Sequence, residues 1–465
     1  MSAAATTLTA EQATTDARIL VQTLRALHPA LDKYNTAAEI NAFIRRFEKR
    51  AQTSRSSIDM YLAATELAAS VRCGHTRTNV LNQRDDVRHE LLDPENKLPL
   101  RMALVEGSWL VLASASPDVR SGDEIVSIDG NSSAQIVARM LPYLRGDGAG
   151  NGNRLQQLSH EGVAYSMMDI VWPLLSPPAQ AGYRLGIRRG DQALRTIEVK
   201  ATSLAKRSAS LLAQGTAAPT PAWRFRIDGE RATMVLPSFA LFGGSFNWQE
   251  FFAKNFVELK RLKVTQLIID IRANEGGNDA IGTALLSYLI RAPMTYVSDQ
   301  SVTTYERVPP DIAPFLQTWD RSFFDRSGMV DKITTGPQAG RYRFRPKASV
   351  VHTIMPQEDR FTGKTWLLVG PENSSATFLL AKLAKQSHAA TLVGQPTGGN
   401  LRGLNGGQLA WVVLPGSGVS VDIPLLASGY DADTPDAVIT PDVLVQRSFT
   451  LQAAGRDQEV EAITN

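Results

Sequence analysis

Three stretches near the start of the chain place apolar residues at helical spacing. In "ARILVQTLRAL", Ile19, Leu20, Leu24 and Leu27 recur at that spacing, and the run stops at His28-Pro29. "TAAEINAFIRRFEKR" opens on Thr36 with Glu39 three residues on, the signature of a reciprocal helix cap. "SSIDMYLAATELAASV" predicts a third helix, ended at Gly74 in "RCGHTRTNV". The pattern then changes. "LPLRMALVEGSWLVLASAS" predicts two strands turning at Glu106-Gly107. "SGDEIVSIDGNSSAQIVARML" predicts a strand, a tight Asp-Gly turn and a helix. Two further strands join at "RRGD" in residues 182–201.

From Trp223 onward strands alternate with helices. "ATMVLPSF", "VTQLIIDIR", "KTWLLVG" and "ATLVGQ" read as strands, two of them near-continuous apolar runs of the kind buried on both faces. "NWQEFFAKNFVELKRLK", "DAIGTALLSYLI" and "ATFLLAKLAKQ" read as the helices between them. The alternation predicts an α/β fold with a largely parallel sheet. The domains expected are 1–92 (helical), 93–203 (strand-rich), a linker over 204–222, and 223–465 (α/β). An aromatic and proline-rich insertion near 293–361 interrupts the last.

Composition narrows the function classes. A net charge of +3 over 465 residues, with only short basic clusters such as residues 44–55, argues against nucleic-acid binding. One cysteine, Cys73, permits no internal disulfide. The six histidines are scattered without metal-type pairing, so no metal and no cofactor is expected. No apolar run reaches membrane-spanning length. The first residues, "MSAAATTLTAEQATTDAR", have neither the basic nor the apolar region of a signal peptide.

Two strand-to-helix corners stand out as chemistry. "LIIDIRANEGGNDAIG" ends a buried strand in Asp270, Arg272 and Asn274, then places Gly276 and Gly277 before a helix. Adjacent glycines let backbone N–H groups face a site unobstructed. "TWLLVGPENSSATFLLAKLA" makes a second such corner, with Asn373 or Ser374 as the cap and Ser375 in the first helical turn. Free N–H groups there favour developing negative charge. A serine nucleophile needs such donors, here Ala376 with Gly276 or Gly277, and it needs a base. The candidates for that base are His75, in "CGHTRT", a distant lysine, or none.

Taken in order, "CGHT", "SGDEIVSIDG", "IIDIRANEGG", "SSATF", "LVGQPTGG" and "ITPDVLV" resemble the tail-specific, or C-terminal processing, serine peptidases. The resemblance spans nearly the whole chain. It implies a helical N-terminal domain, a PDZ-like domain over 93–203 and a ClpP/crotonase-like catalytic core, with peptides or partly unfolded proteins as substrates. It also implies a periplasmic or secreted location. One branch of that family uses a serine–lysine dyad, but the lysine position is Asn400 here. The branch resembling the tricorn core uses a histidine, and His75 matches its place. That branch implies a supporting carboxylate among Asp431, Asp433 and Asp436, with Asp433 favoured by spacing. The chain departs from the family at Phe378, where a glutamate is expected, and at Gly74, where the tricorn pattern has a serine; Thr76 offers a nearby hydroxyl. The reading is therefore a serine endopeptidase acting through Ser375 and His75. The alternatives are a non-proteolytic protein binding an apolar ligand or peptide on the same fold, and a serine esterase or amidase.

Overall fold

The first three helices each begin with a reciprocal cap. Thr9 with Gln12 opens Ala10–Leu27, Thr36 with Glu39 opens Ala37–Thr53, and Ser56 with Asp59 opens Ser57–Ser70. Each cap satisfies two N–H groups that a helix start leaves orphaned. The computed structural model describes residues 7–180, 182–216, 222–298, 301–336, 338–345, 350–431 and 433–464. These fall into two units: Met1–Ala218 with Asp299–Ala348 and Arg402–Asp436, and Pro219–Ser298 with Ser349–Leu401 and Ala437–Asn465.

In the first unit the helices precede an antiparallel sheet. Its strands run in the order Leu100–Val105, Ser108–Ser114, Glu124–Ile128, Gly182–Arg188 and Arg195–Lys200. The Glu106-Gly107 and Asp129-Gly130 turns fall where the sequence put them, with all four residues at positive φ. Helix Ser133–Met140 follows, capped by Ser132. Met168 and Trp172 are buried in the core of this unit. The segment read as a linker begins instead as helix Leu204–Ala213, and its residues 217–221 lie outside the described ones. This helix is anchored by Arg207, which is 1% exposed and forks onto both Asp169 oxygens at 2.7 and 2.8 Å. The ion pair ties the segment to helix Met167–Ile170, and Arg207 also donates to Leu100 O of the first strand at 3.0 Å.

The second unit holds a six-stranded sheet. Its order is Val443–Leu444, Thr391–Gly394, Lys364–Val369, Gln266–Asp270, Arg231–Val235 and Arg224–Asp228. All neighbours are parallel except the last pair. Helices Trp248–Arg261, Asp279–Ser287 and Ser375–Gln386 connect the strands as the alternation predicted. Leu267, Ile269, Leu367 and Val369 are buried in the main core. Ile268, Trp366 and Leu368 are buried on the other face, against the C-terminal helix Gln458–Thr464.

The expected domain of 223–465 is not continuous. Residues 299–348 and 402–436 belong to the first unit. There, strand Ser301–Thr303 pairs with Ala427–Ser428, and Leu316–Gln317 pairs with Leu409–Val413. The insertion is thus divided. Its outer strands, Met294–Ser298 and Val350–Ile354, pair with each other in the second unit. Among the described residues no helix is long and apolar enough to cross a membrane.

Candidate active site

Two strand ends in the second unit are tied together by buried asparagines. Asn274 closes the corner after Gln266–Asp270. Its Nδ2 donates to Leu236 O at 2.7 Å, and its Oδ1 accepts the Gly276 N–H at 2.9 Å. Asn373 closes the corner after Lys364–Val369. Its Oδ1 accepts the Gly370 N–H at 2.8 Å, and its Nδ2 donates to Ile271 O and Asn274 O at 2.5 and 3.0 Å. Both side chains are fully buried. Each replaces the water that a strand-end carbonyl would otherwise lose on burial. Thr377 adds a hydrogen bond to Asn274 O at 2.9 Å. The "PTGG" loop then closes over the corner, with Gly398 and Gly399 N–H both donating to Asn373 O.

Ser375 sits on this scaffold at φ +50. The left-handed region costs a residue with a Cβ about 1–2 kcal/mol. The other six such residues are placed differently. Arg72, Lys263 and His388 end helices, and Glu106, Asp129 and Gln180 sit in turns. Among the described residues Ser375 alone holds positive φ at a helix start. Backbone strain of this kind clusters at active sites. Ser374 is the N-cap by position, but its side chain does not cap the helix. It donates instead across the two corners to Glu275 O at 2.9 Å.

Gly276 is packed against this turn, and Gly277 against Phe239. A Cβ on Gly276 would lie 2.8 Å from Ser375 Cβ and 3.1 Å from Ala376 N. One on Gly277 would lie 2.2 Å from Phe239 C, and Gly277 holds φ +139. Phe239 donates to Gly276 O and accepts from the Asn278 N–H, which fixes Gly277 between them. The two glycines differ as donors. The Gly276 N–H is taken by Asn274, whereas the Gly277 N–H has no hydrogen-bond partner among the described residues. Ala376 is at the second helical position, where an N–H has no carbonyl of its own helix to meet. Arg272 is not a free cation for this site. It is bound to Asp270, Asp457 and Glu459 at 2.7, 2.8 and 3.1 Å; burial lowers its pKa, but these carboxylates outweigh burial and hold it above the usual value.

Ser375, Ala376, Gly276 and Gly277 are thus brought together in one unit; His75 and Asp433 belong to the other. His75 is half-buried, and a Cβ on Gly406 would lie 3.3 Å from its Cε1 and Nε2. Gly74 does not end the preceding helix as expected. Ser70 is the last helical residue, and Arg72 makes the left-handed turn at φ +59. Gly74 is glycine for another reason: a Cβ there would meet Asp147 Oδ2 at 2.9 Å. On the far side of His75, Thr76 Oγ1 meets His28 Nε2 at 2.9 Å. Asp433, the carboxylate favoured by spacing, is exposed and makes no hydrogen bond among the described residues. Asp436 is the one built in, accepting the Ala149 N–H at 2.9 Å and facing Arg72 at 3.6 Å. Phe378 presses its ring on Gly399, where a Cβ would come within 2.5 Å of ring carbons. No group of three or more His, Cys, Asp or Glu residues that could hold a metal is found among the described residues.

Residues 232–445 match the model of peptidase family S41. The chain carries a peptidase family S41 domain. That domain places the protein with the serine-peptidase hydrolases. Among solved structures, mature CPAF complexed with lactacystin is similar over 98% of this chain and 97% of its own, at 14% identity and a TM-score of 0.63. Mature CPAF alone is similar over 98% and 96%, again at 14% and 0.63. At that identity the likeness is one of fold. No curated protein sequence matches the chain. The S41 match covers both corners, with Gly276, Gly277, Ser375 and Ala376; His75 lies upstream of it.

Proposed function

We propose that the protein is a serine endopeptidase hydrolysing peptides or partly unfolded proteins, with Ser375 as nucleophile and His75 as base. The observation that carries this is the left-handed φ of Ser375 at a helix start, with Gly276 packed directly against it. Ser375 Oγ attacks the scissile carbonyl carbon, and His75 takes the hydroxyl proton and returns it to the leaving amine. The tetrahedral oxyanion is met by the Ala376 and Gly277 N–H groups, since that of Gly276 is engaged by Asn274. Water then hydrolyses the acyl-enzyme by the same proton path in reverse. The parallel sheet supports reading the second unit as a ClpP/crotonase-like core. The antiparallel sheet with helix Ser133–Met140 supports a PDZ-like reading of residues 93–203.

The test is labelling by a fluorophosphonate probe alongside hydrolysis of a fluorogenic peptide and a simple ester, in wild type, Ser375→Ala and His75→Ala. Labelling and peptide cleavage that require both residues are expected. Cleavage that survives Ser375→Ala would sink the proposal, and ester turnover without peptide turnover would move it to an esterase.

A further inference from the structure

Four hydrogen bonds join Arg72 and Gly74, just ahead of His75, to one loop that follows helix Ser133–Met140. Asp147 Oδ1 accepts the Gly74 N–H at 2.9 Å, and Arg145 donates to Gly74 O at 2.8 Å. The Gly148 N–H donates to Arg72 O at 3.1 Å, and Arg72 Nε donates to Gly148 O at 3.1 Å. Asp436 reinforces both sides through Ala149 and Arg72. Gly74 O belongs to the peptide unit whose nitrogen is that of His75. Holding Gly74 at its N–H and at its C=O therefore fixes the planes on either side of that residue, and with them the direction in which His75 leaves the backbone. Asp147 is 5% exposed. A carboxylate that deep costs stability unless its oxygens are used, and Asp147 Oδ1 accepts the Gly74 N–H. The absence of a Cβ at Gly74 is what lets the carboxylate approach.

We propose that Asp147 and Arg145 are positioning residues for His75, so that a loop of the antiparallel-sheet region sets the aim of the base. This rests on the reading of His75 as the base. Asp147 touches no reacting atom; it acts through the backbone of Gly74. A misplacement of about 1 Å in such a group costs about 100-fold in rate.

The experiment measures kcat and KM for a fluorogenic peptide, the rate of fluorophosphonate labelling, and the urea midpoint. It compares wild type, His75→Ala, Asp147→Ala, Asp147→Asn and Arg145→Met. Asp147→Ala is expected to lower kcat and labelling about 100-fold with KM nearly unchanged. Asp147→Asn, which keeps an oxygen for the Gly74 N–H, should recover most of that loss. Arg145 is half-buried, so Arg145→Met gives a folded variant that loses the other half of the clamp; its kcat should fall in the same sense. If labelling is lost in His75→Ala but unchanged in folded Asp147→Ala and Arg145→Met, the positioning role is overturned and the base assignment stands. If His75→Ala labels like wild type, the base assignment falls, and this proposal with it. A drop in urea midpoint with kcat intact would make the clamp a fold element only, and would also overturn it.

Discussion

Replacing Ser375 by glycine should make the protein more stable while abolishing its chemistry. The residue holds φ +50, a conformation that costs about 1–2 kcal/mol for any side chain with a Cβ. Glycine escapes that cost but gives the unfolded chain more freedom, offsetting about 0.5–1 kcal/mol. Its Oγ makes no hydrogen bond among the described residues, so alanine removes the hydroxyl and keeps the strain. Ser375→Gly should therefore exceed Ser375→Ala by about 1 kcal/mol. In a domain of 150–250 residues that is a melting difference of about 2–4 °C. Urea and thermal unfolding of both variants, checked for equal m-values, would measure it. A glycine variant equal to or less stable than the alanine variant would refute the claim that the backbone is strained here. The argument from strain to nucleophile would go with it.

Several other substitutions test separate parts of the structure. His28 is 2% exposed; burial, then the charges of Lys33 and Arg341, push its pKa down to about 3. Its Nδ1 accepts the Ala30 N–H at 3.2 Å, so the Nε2–H tautomer faces Thr76 and a second proton would set two donors against each other. Between the unfolded value near 6.5 and about 3 the unfolded chain binds the extra proton, so stability falls as pH falls, by up to about 1.4 kcal/mol per unit. Urea midpoints from pH 7 to 4 should show this slope in wild type and lose it in His28→Gln; equal slopes would refute it. Gly277→Ala should eliminate labelling and destabilise the second unit, because its Cβ would fall 2.2 Å from Phe239 C; a fully labelled variant would contradict the packing. Arg207→Ala leaves Asp169 and His160, joined at 2.8 Å, as an uncompensated buried pair, for an expected loss of about 3–5 kcal/mol in chemical unfolding. Under 1 kcal/mol would mean the 204–213 helix is the loose tether its composition suggested.

Local physics carried much of this protein into its sequence. Capping residues, Asp-Gly turns and the switch from helical spacing to alternating strand and helix are short-range signals, and they located the helices, the hairpins and the parallel sheet. The two corners with Gly276, Gly277 and Ser375 were legible for the same reason, since each is a contiguous strand–turn–helix passage. Contacts between distant segments were not. Arg207 reaches Asp169, Asn373 reaches Asn274, and residues 299–348 and 402–436 join a unit begun some hundreds of residues earlier. Spacing favoured Asp433, which is exposed, whereas Asp436 and Asp147 accept backbone N–H groups from distant segments, and spacing could not foresee those donors. Gly74 makes the same point in one atom. The sequence shows a glycine beside a histidine and suggests a helix stop. Only the tertiary structure puts a carboxylate 2.9 Å from where its Cβ would be, and so gives the physical reason that no side chain stands there.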